Sequence, residues 1–184
     1  MRKKQLLKWI LPVCILLIVA GIWLVKNMPS PAEPETTNVG SQTAEVTGTE
    51  NPDFALQADE IDLEKLTSYG LPIIIDFGAD WCSPCRSFEP ILEKAHDDYL
   101  DKAIIKYVDV DDHSDIASQF PVSVIPTQVF FLPDGSPYVP GEGIDAEFTA
   151  YSDSETGEHR FTVHEGGLSA DQLAAILADM GVTE

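Results

Sequence analysis

IIIDFGADWCSPC, residues 73–85, is the stretch that decides the predicted fold. It opens with a run of apolar, β-branched side chains, which is typical of a central strand buried on both faces. After Cys85, apolar side chains recur at helical spacing as far as Tyr99, and Pro90 inside this run predicts a kink. The sequence therefore predicts a strand that leads directly into a helix, with Cys82 at the N-terminus of that helix.

The neighbouring segments complete an α/β domain. We predict a short amphipathic helix over residues 59–69, a second strand over residues 103–110 and a short helix or turn over residues 113–120. A third strand over residues 127–132 is entered through Pro126. Together with the cysteine-bearing unit, these segments give a βαβ order followed by an antiparallel strand.

The last fifty residues predict a hairpin and a closing helix. Residues 146–151 and 158–164 flank a polar turn that contains a glycine, and they predict two paired strands. Ser169 and Gln172 have the spacing of a capping box, and the amphipathic helix that they open ends at Gly181. The fold class predicted from this order is α/β.

The N-terminal region predicts a membrane anchor. Residues 6–25 form an apolar run broken only by Lys8, and twenty helical residues span the roughly 30 Å hydrocarbon layer. Basic residues are concentrated before the run, so we expect residues 1–26 to be a cytoplasmic segment plus a single transmembrane helix, with the remaining chain outside. A cleaved signal peptide is the alternative, although no Ala-x-Ala-like site follows the run. Cys14 lies within the run and is interpreted as a membrane-buried residue.

A polar linker and an acidic domain follow the anchor. Residues 27–55 are rich in Pro, Glu, Thr, Ser and Gly, which predicts a flexible linker. The net charge of −20 belongs to residues 56–184, the predicted folded domain. Such a surface repels nucleic acid and anionic headgroups, so the sequence argues against a nucleic-acid-binding role.

The spacing of Cys82 and Cys85 points to thiol–disulfide exchange. This chemistry needs one accessible thiolate that attacks and a second thiol close enough to resolve the mixed disulfide. At a helix N-terminus the free N–H groups favour the thiolate, so we expect a lowered pKa for Cys82 and assign the resolving role to Cys85. Pro84 suits the first helical turn, and Ser83 leaves the approach open.

A Cys-x-x-Cys pair can also ligate zinc or form a structural disulfide. A zinc site needs two more Cys or His ligands, and neither His96 nor His113 is well placed to supply them. A structural disulfide framework would show more cysteines at wider spacing. The sequence therefore predicts a redox-active disulfide with no metal and no bound cofactor.

With these motifs in view, the chain resembles the thioredoxin family. Residues 76–85 match the family's strand-to-active-site run, residues 125–127 match its cis-proline loop, and Pro90 lies where the family kinks the helix. The resemblance covers residues 56–184 and implies the thioredoxin fold, a central mixed sheet flanked by helices. Together with the anchor, it is similar to bacterial tethered thioredoxins, which implies a polytopic membrane electron donor of the CcdA or DsbD type.

The resemblance also assigns roles around the cysteines. It implies that Cys82 is the nucleophile, that Cys85 resolves, and that Asp76 is a buried carboxylate that handles the proton of Cys85. Desolvation of such a carboxylate should raise its pKa. Lys106 is a candidate neighbour of Asp76. Trp81 is expected to cover the site.

The loop at residues 125–127 is expected to bind substrate. The resemblance implies that Pro126 is cis and stacks on the disulfide, that the backbone of Ile125 pairs with an extended client segment, and that Thr127 completes the motif. We count these three residues and Trp81 as substrate-binding candidates. Proteins that carry disulfides are the expected clients.

Two departures from the family pattern bear on function. The central dipeptide is Ser-Pro, whereas thioredoxin has Gly-Pro and strong oxidants have Pro-His, and residues 136–158 form an acidic insertion before the last strand. The two interpretations of the insertion are contact with a partner and a surface elaboration, and we favour the second. The leading functional hypothesis is a reductase of extracytoplasmic disulfides. The alternatives are an oxidase or isomerase, and a tethered binding module in which the cysteines are incidental.

Overall fold

The computed structural model describes residues 51–183. A 3₁₀ turn at Pro52–Phe54 precedes four α-helices, α1 at Leu63–Thr67, α2 at Ser83–Asp98, α3 at Ser114–Ala117 and α4 at Ala170–Asp179. The five strands are β1 at Ile73–Gly78, β2 at Ile104–Asp109, β3 at Thr127–Phe131, β4 at Thr149–Ser152 and β5 at His159–Glu165.

The strands form one mixed sheet in the order β2-β1-β3-β5-β4. β1 is flanked on one side by parallel β2 and on the other by antiparallel β3, and every residue of β1 is buried. This burial explains why β1 is an unbroken apolar run apart from Asp76 and the terminal glycine. β1 also delivers the cysteine motif to one end of the sheet.

Two apolar layers cover the faces of the sheet. On one face, Ile73, Ile75 and Phe77 of β1 pack with side chains that include Leu66 of α1 and Ile116 of α3. On the other face, a second cluster packs α2 and α4 against the sheet, and it includes Ile74, Phe88, Leu92, Leu173 and Ile176. Successive side chains of a strand point to opposite faces, so Asp76 shares the α2 face with Ile74.

These elements confirm the predicted α/β class, and the mixed sheet flanked by helices has the arrangement of the thioredoxin fold. The predicted capping box is present, since Ser169 accepts from the backbone of Gln172 while the Gln172 side chain accepts from the backbone of Ser169. Helix α1 is shorter than the predicted helix over residues 59–69. Asp62 caps its first turn by accepting from the N–H of Lys65 at 3.0 Å.

The segment predicted as an insertion, residues 136–158, lies between the antiparallel neighbours β3 and β5. Ser136 and Tyr138 still pair with the end of β3 through backbone hydrogen bonds of 2.8 and 3.1 Å, to Leu132 and Phe130. The chain then crosses over α4 and returns as β4, which pairs with β5 at the edge of the sheet. The predicted hairpin is thus confirmed, and residues 136–138 and β4, which were all assigned to the insertion, belong to the sheet.

The predicted anchor and nearly all of the predicted linker lie outside the described residues. Within residues 51–183, no helix has the length and apolar character needed to cross a lipid bilayer.

Candidate functional site

Cys82 and Cys85 form a disulfide at the start of α2, with their Cα atoms 5.2 Å apart. Cys82 is the N-cap of α2 in an extended backbone conformation, and its Sγ accepts a hydrogen bond from the backbone N–H of Cys85 at 3.3 Å. Both cysteines are buried, whereas Ser83 and Pro84 between them are exposed. A capping sulfur atom that already faces a backbone N–H is well placed to carry negative charge after reduction.

The loop before β3 faces the disulfide. The Ile125–Pro126 peptide bond is cis, and the carbonyl oxygen of Ile125 lies 3.6 Å from Sγ of Cys82. Thr127 is buried and its hydroxyl donates to the carbonyl of Val124 at 2.7 Å, which closes the loop. The structure therefore places Ile125 against Cys82, and Pro126 and Thr127 follow Ile125 in the same loop.

An open groove of about 840 Å³ lies beside Cys82. Its lining is uncharged and combines apolar side chains with serines, including Trp81, Pro84, Phe120 and Val124. Such a lining suits an extended, largely apolar client segment rather than a charged small molecule.

Trp81 stands at the edge of this groove. Its side chain is 66% exposed, and its indole N–H donates to Oδ2 of Asp111 at 2.6 Å. The hydrogen bond fixes the orientation of a large ring that would otherwise be free to rotate at the edge of the groove. Sequence reasoning did not single out Asp111, because thirty residues separate it from Trp81.

Asp76 is buried on the sheet face that packs against α2, the helix whose buried side begins with Cys85. Burial raises the pKa of Asp76 to about 7, and a hydrogen bond from Gln128 acts in the opposite direction. Nε2 of Gln128 donates to Oδ1 of Asp76 at 2.6 Å. A carboxyl group with this pKa can exchange a proton near neutral pH.

Gln128 was missed by the sequence reasoning. It is fully buried, and it lies directly opposite Asp76 in the antiparallel pairing of β3 with β1. The available signal was a polar residue in an otherwise apolar strand, the same signal that drew attention to Asp76.

The expectation that Lys106 neighbours Asp76 is wrong. In the parallel pairing of β2 with β1, Lys106 lies opposite Ile75 and Tyr107 lies opposite Asp76, so Lys106 points to the other face of the sheet. Its Nζ donates to the carbonyls of Pro52 and Ala55 at 3.0 and 2.7 Å. Burial lowers the pKa of Lys106 to about 8, and the nearby Asp53 partly opposes that shift. Lys106 thus links the segment before α1 to strand β2 by hydrogen bonds.

Side chains of the types that ligate metals do not cluster in the part of the chain that the structure describes. Residues 51–183 contain no group of three or more His, Cys, Asp or Glu side chains placed to hold a metal ion. His96 lies at the far end of α2, where Nε2 is 2.7 Å from the carbonyl oxygen of Phe54. His113 faces Asp59, with Nε2 and Oδ1 3.4 Å apart.

Comparison with known proteins identifies the family. The thioredoxin family model matches residues 56–147, and the chain therefore belongs to the thioredoxin family. It is similar to mitochondrial thioredoxin of Rattus norvegicus, with 37% identity over 100 residues that cover 54% of each chain. It is also similar to thioredoxin of Mycoplasma genitalium, with 42% identity over 69 residues, 38% of this chain and 67% of that one.

The chain spans about half the length of the mitochondrial relatives that it matches. Among solved structures, chloroplastic thioredoxin z is 22% identical with a TM-score of 0.45, covering 70% of this chain and 98% of that one. The thioredoxin of Malassezia sympodialis is 24% identical with a TM-score of 0.45, covering 69% of this chain and 92% of that one.

Proposed function

We propose that this chain is a membrane-anchored thiol–disulfide oxidoreductase that reduces disulfides in extracytoplasmic proteins. The observation that carries the proposal is the placement of Cys82 at the N-cap of α2, where its Sγ accepts from a backbone N–H and lies against the carbonyl of Ile125. Membership of the thioredoxin family supports the same chemistry.

The first step is attack on the client. In the reduced protein, the Cys82 thiolate attacks one sulfur of the client disulfide, a bond forms between Cys82 and the client, and the other client sulfur leaves as a thiolate. The N-cap geometry favours the thiolate, because the N–H of Cys85 points at the sulfur and the helix dipole adds a partial positive charge. The carbonyl of Ile125 is available to a backbone N–H of the client segment in the groove.

The second step releases the client. The Asp76 carboxylate accepts the proton of the Cys85 thiol, and the resulting Cys85 thiolate attacks Sγ of Cys82. The Cys82–client bond breaks, the second client thiolate leaves, and the Cys82–Cys85 disulfide forms. The client has gained two electrons and the protein has lost two. A raised pKa in Asp76 suits this task, since the group must bind and release a proton near neutral pH.

Renewed activity requires a dithiol donor that reduces the Cys82–Cys85 disulfide by the same exchange in reverse. We assign that role to a polytopic membrane carrier of the CcdA or DsbD type. The apolar run at residues 6–25 and the basic residues before it support a single-pass anchor with the domain outside the cytoplasm.

The decisive test is trapping of the mixed disulfide. Cys85→Ser leaves Cys82 free to attack but removes the resolving thiol, so the variant should accumulate covalent adducts that a thiol reductant releases. Cys82→Ser is the matched control and should give none. The absence of adducts with Cys85→Ser in the intact cell would overturn the proposal and favour a tethered binding module.

The direction of electron flow is tested by the reduction potential of the Cys82–Cys85 pair. A reductase should show a reduction potential near that of thioredoxin, about −270 mV, when equilibrated against glutathione or dithiothreitol buffers. A value near −120 mV would instead assign the protein to the oxidases.

A further inference from the structure

Only one end of the fully buried Gln128 amide has a hydrogen-bond partner. Its Nε2 donates to Asp76, whereas its Oε1 is buried with no hydrogen-bond partner in the described part of the chain. Buried polar atoms are nearly always paired, so an unpaired oxygen beside a titratable group needs a physical reason. The second protonation state of Asp76 provides one.

A glutamine amide can serve both states of a carboxyl group. Its NH₂ end donates to the carboxylate, and after a half-turn of the amide its oxygen accepts from the protonated acid. The two ends are nearly identical in shape, so the exchange requires little repacking. An apolar side chain of the same size would pair with neither state.

Few other groups near Asp76 could do the same. Tyr107 of β2 lies opposite Asp76, and its pKa is raised by burial and by nearby carboxylates, but in the described structure its hydroxyl makes no hydrogen bond to Asp76. Those carboxylates are Asp109, Asp76, Asp80 and Glu89. Cys85 faces this layer from α2, and His164 of β5 lies opposite Gln128 with Nδ1 2.8 Å from the carbonyl of Glu147. Lys106 faces away.

We propose that Gln128 is a positioning residue that turns its amide with the protonation state of Asp76, and so sets the pH at which Asp76 accepts the proton of Cys85. This inference rests on the proposed exchange chemistry. The proton leaves the Cys85 thiol, binds to an Asp76 oxygen and later passes to solvent. Gln128 exchanges no proton and orients the carboxyl group in both states.

The test uses the reduced full chain and reads Asp76 directly. The ¹³C shift of the Asp76 carboxyl is followed by NMR from pH 5 to pH 9 in wild type and in Gln128→Met, which keeps the length of the side chain but not the amide. The hydrogen bond to the ionised form is the stronger of the two because its acceptor is charged, so removal of the amide should raise the midpoint by about one pH unit. The pH midpoint of the client-release rate should move by the same amount.

A double substitution separates positioning from a general packing effect. In an Asp76→Asn background, Gln128→Met should leave the pH profile of client release unchanged.

Should Gln128→Met fail to fold, NMR of the wild-type chain still tests whether the Gln128 amide turns. The side-chain ¹⁵N and ¹H shifts of Gln128 should titrate with the Asp76 midpoint.

A Gln128 amide signal that stays constant through that midpoint, or an unchanged midpoint in Gln128→Met, would overturn the inference. Neither result would contradict the proposed thiol–disulfide exchange, which the cysteine-trapping experiment tests separately.

Discussion

The indole N–H of Trp81 donates a hydrogen bond of 2.6 Å to Oδ2 of Asp111, across thirty residues of sequence. Trp81 is the largest exposed apolar side chain on the groove beside Cys82. The carboxylate of Asp111 therefore orients the surface on which we expect a client to dock.

Removal of this acceptor should weaken client binding. Asp111→Ala leaves the indole free to rotate, and we expect the KM for a disulfide-bearing protein to rise about fivefold, which corresponds to roughly 1 kcal/mol, with a smaller change in kcat. Asp111→Asn keeps an acceptor oxygen at the same position and should retain most of the affinity. Equal kinetics for Asp111→Ala and wild type would show that Trp81 needs no such support.

The raised pKa of Asp76 predicts a pH-dependent stability. Between its ordinary pKa of 3.8 and about 7, the folded chain retains a proton that the unfolded chain releases, so the contribution of Asp76 to stability falls as the pH rises through this window. Asp76→Asn lacks the titrating group. The free energy of unfolding of the variant minus that of wild type should therefore increase from pH 4 to pH 8. The increase should be on the order of 4 kcal/mol at most.

Urea unfolding of the oxidised chain at both pH values measures this gain. Comparison of the two chains cancels the titration of every other group. A difference between variant and wild type that is the same at pH 4 and pH 8 would contradict the shifted pKa.

Lys106 should matter for the attachment of the entering chain rather than for proton transfer. Lys106→Met removes the hydrogen bonds to Pro52 and Ala55, and we expect a loss of about 1–3 kcal/mol in the free energy of unfolding, with faster proteolysis near residues 52–57. Lys65→Met is the control, because Lys65 lies at the surface and its ion pair with Asp53 should contribute less to stability than the hydrogen bonds of Lys106. A pH profile of client release displaced by Lys106→Met would argue for a link to Asp76.

Asp179 should hold the inserted segment onto the domain. Its Oδ2 accepts from the hydroxyl of Tyr138 at 2.6 Å and from the N–H of Gly141 at 2.9 Å. Asp179→Ala should destabilise the chain by about 1–3 kcal/mol and expose residues 139–147 to protease, whereas Tyr138→Phe loses one bond and should cost about 1 kcal/mol.

Client reduction should change less than twofold in Asp179→Ala, because the inserted segment packs on α4 and none of its residues lines the groove beside Cys82. A large loss of activity with intact folding would instead assign the insertion a role in client binding.

The local pattern around the cysteines was sufficient to predict much of the fold and site. The apolar run of β1, the helical spacing after Cys85 and the capping box at Ser169 each involve residues within a few positions of one another, and local backbone preference acts at that range. The placement of Pro126 beside the cysteines followed from the family motif and not from spacing.

The sequence by itself determined the cysteine pair, the strand that carries it and the helix that it caps, because periodicity and spacing encode them. Only the tertiary structure decided which groups surround Asp76. A register shift of one residue exchanges the faces of a strand, so Lys106 or Tyr107 could have faced Asp76 until the pairing of β2 with β1 was known. The same holds for Gln128 and Asp111, since pairing between distant segments brings each of them to its partner and no local pattern records it.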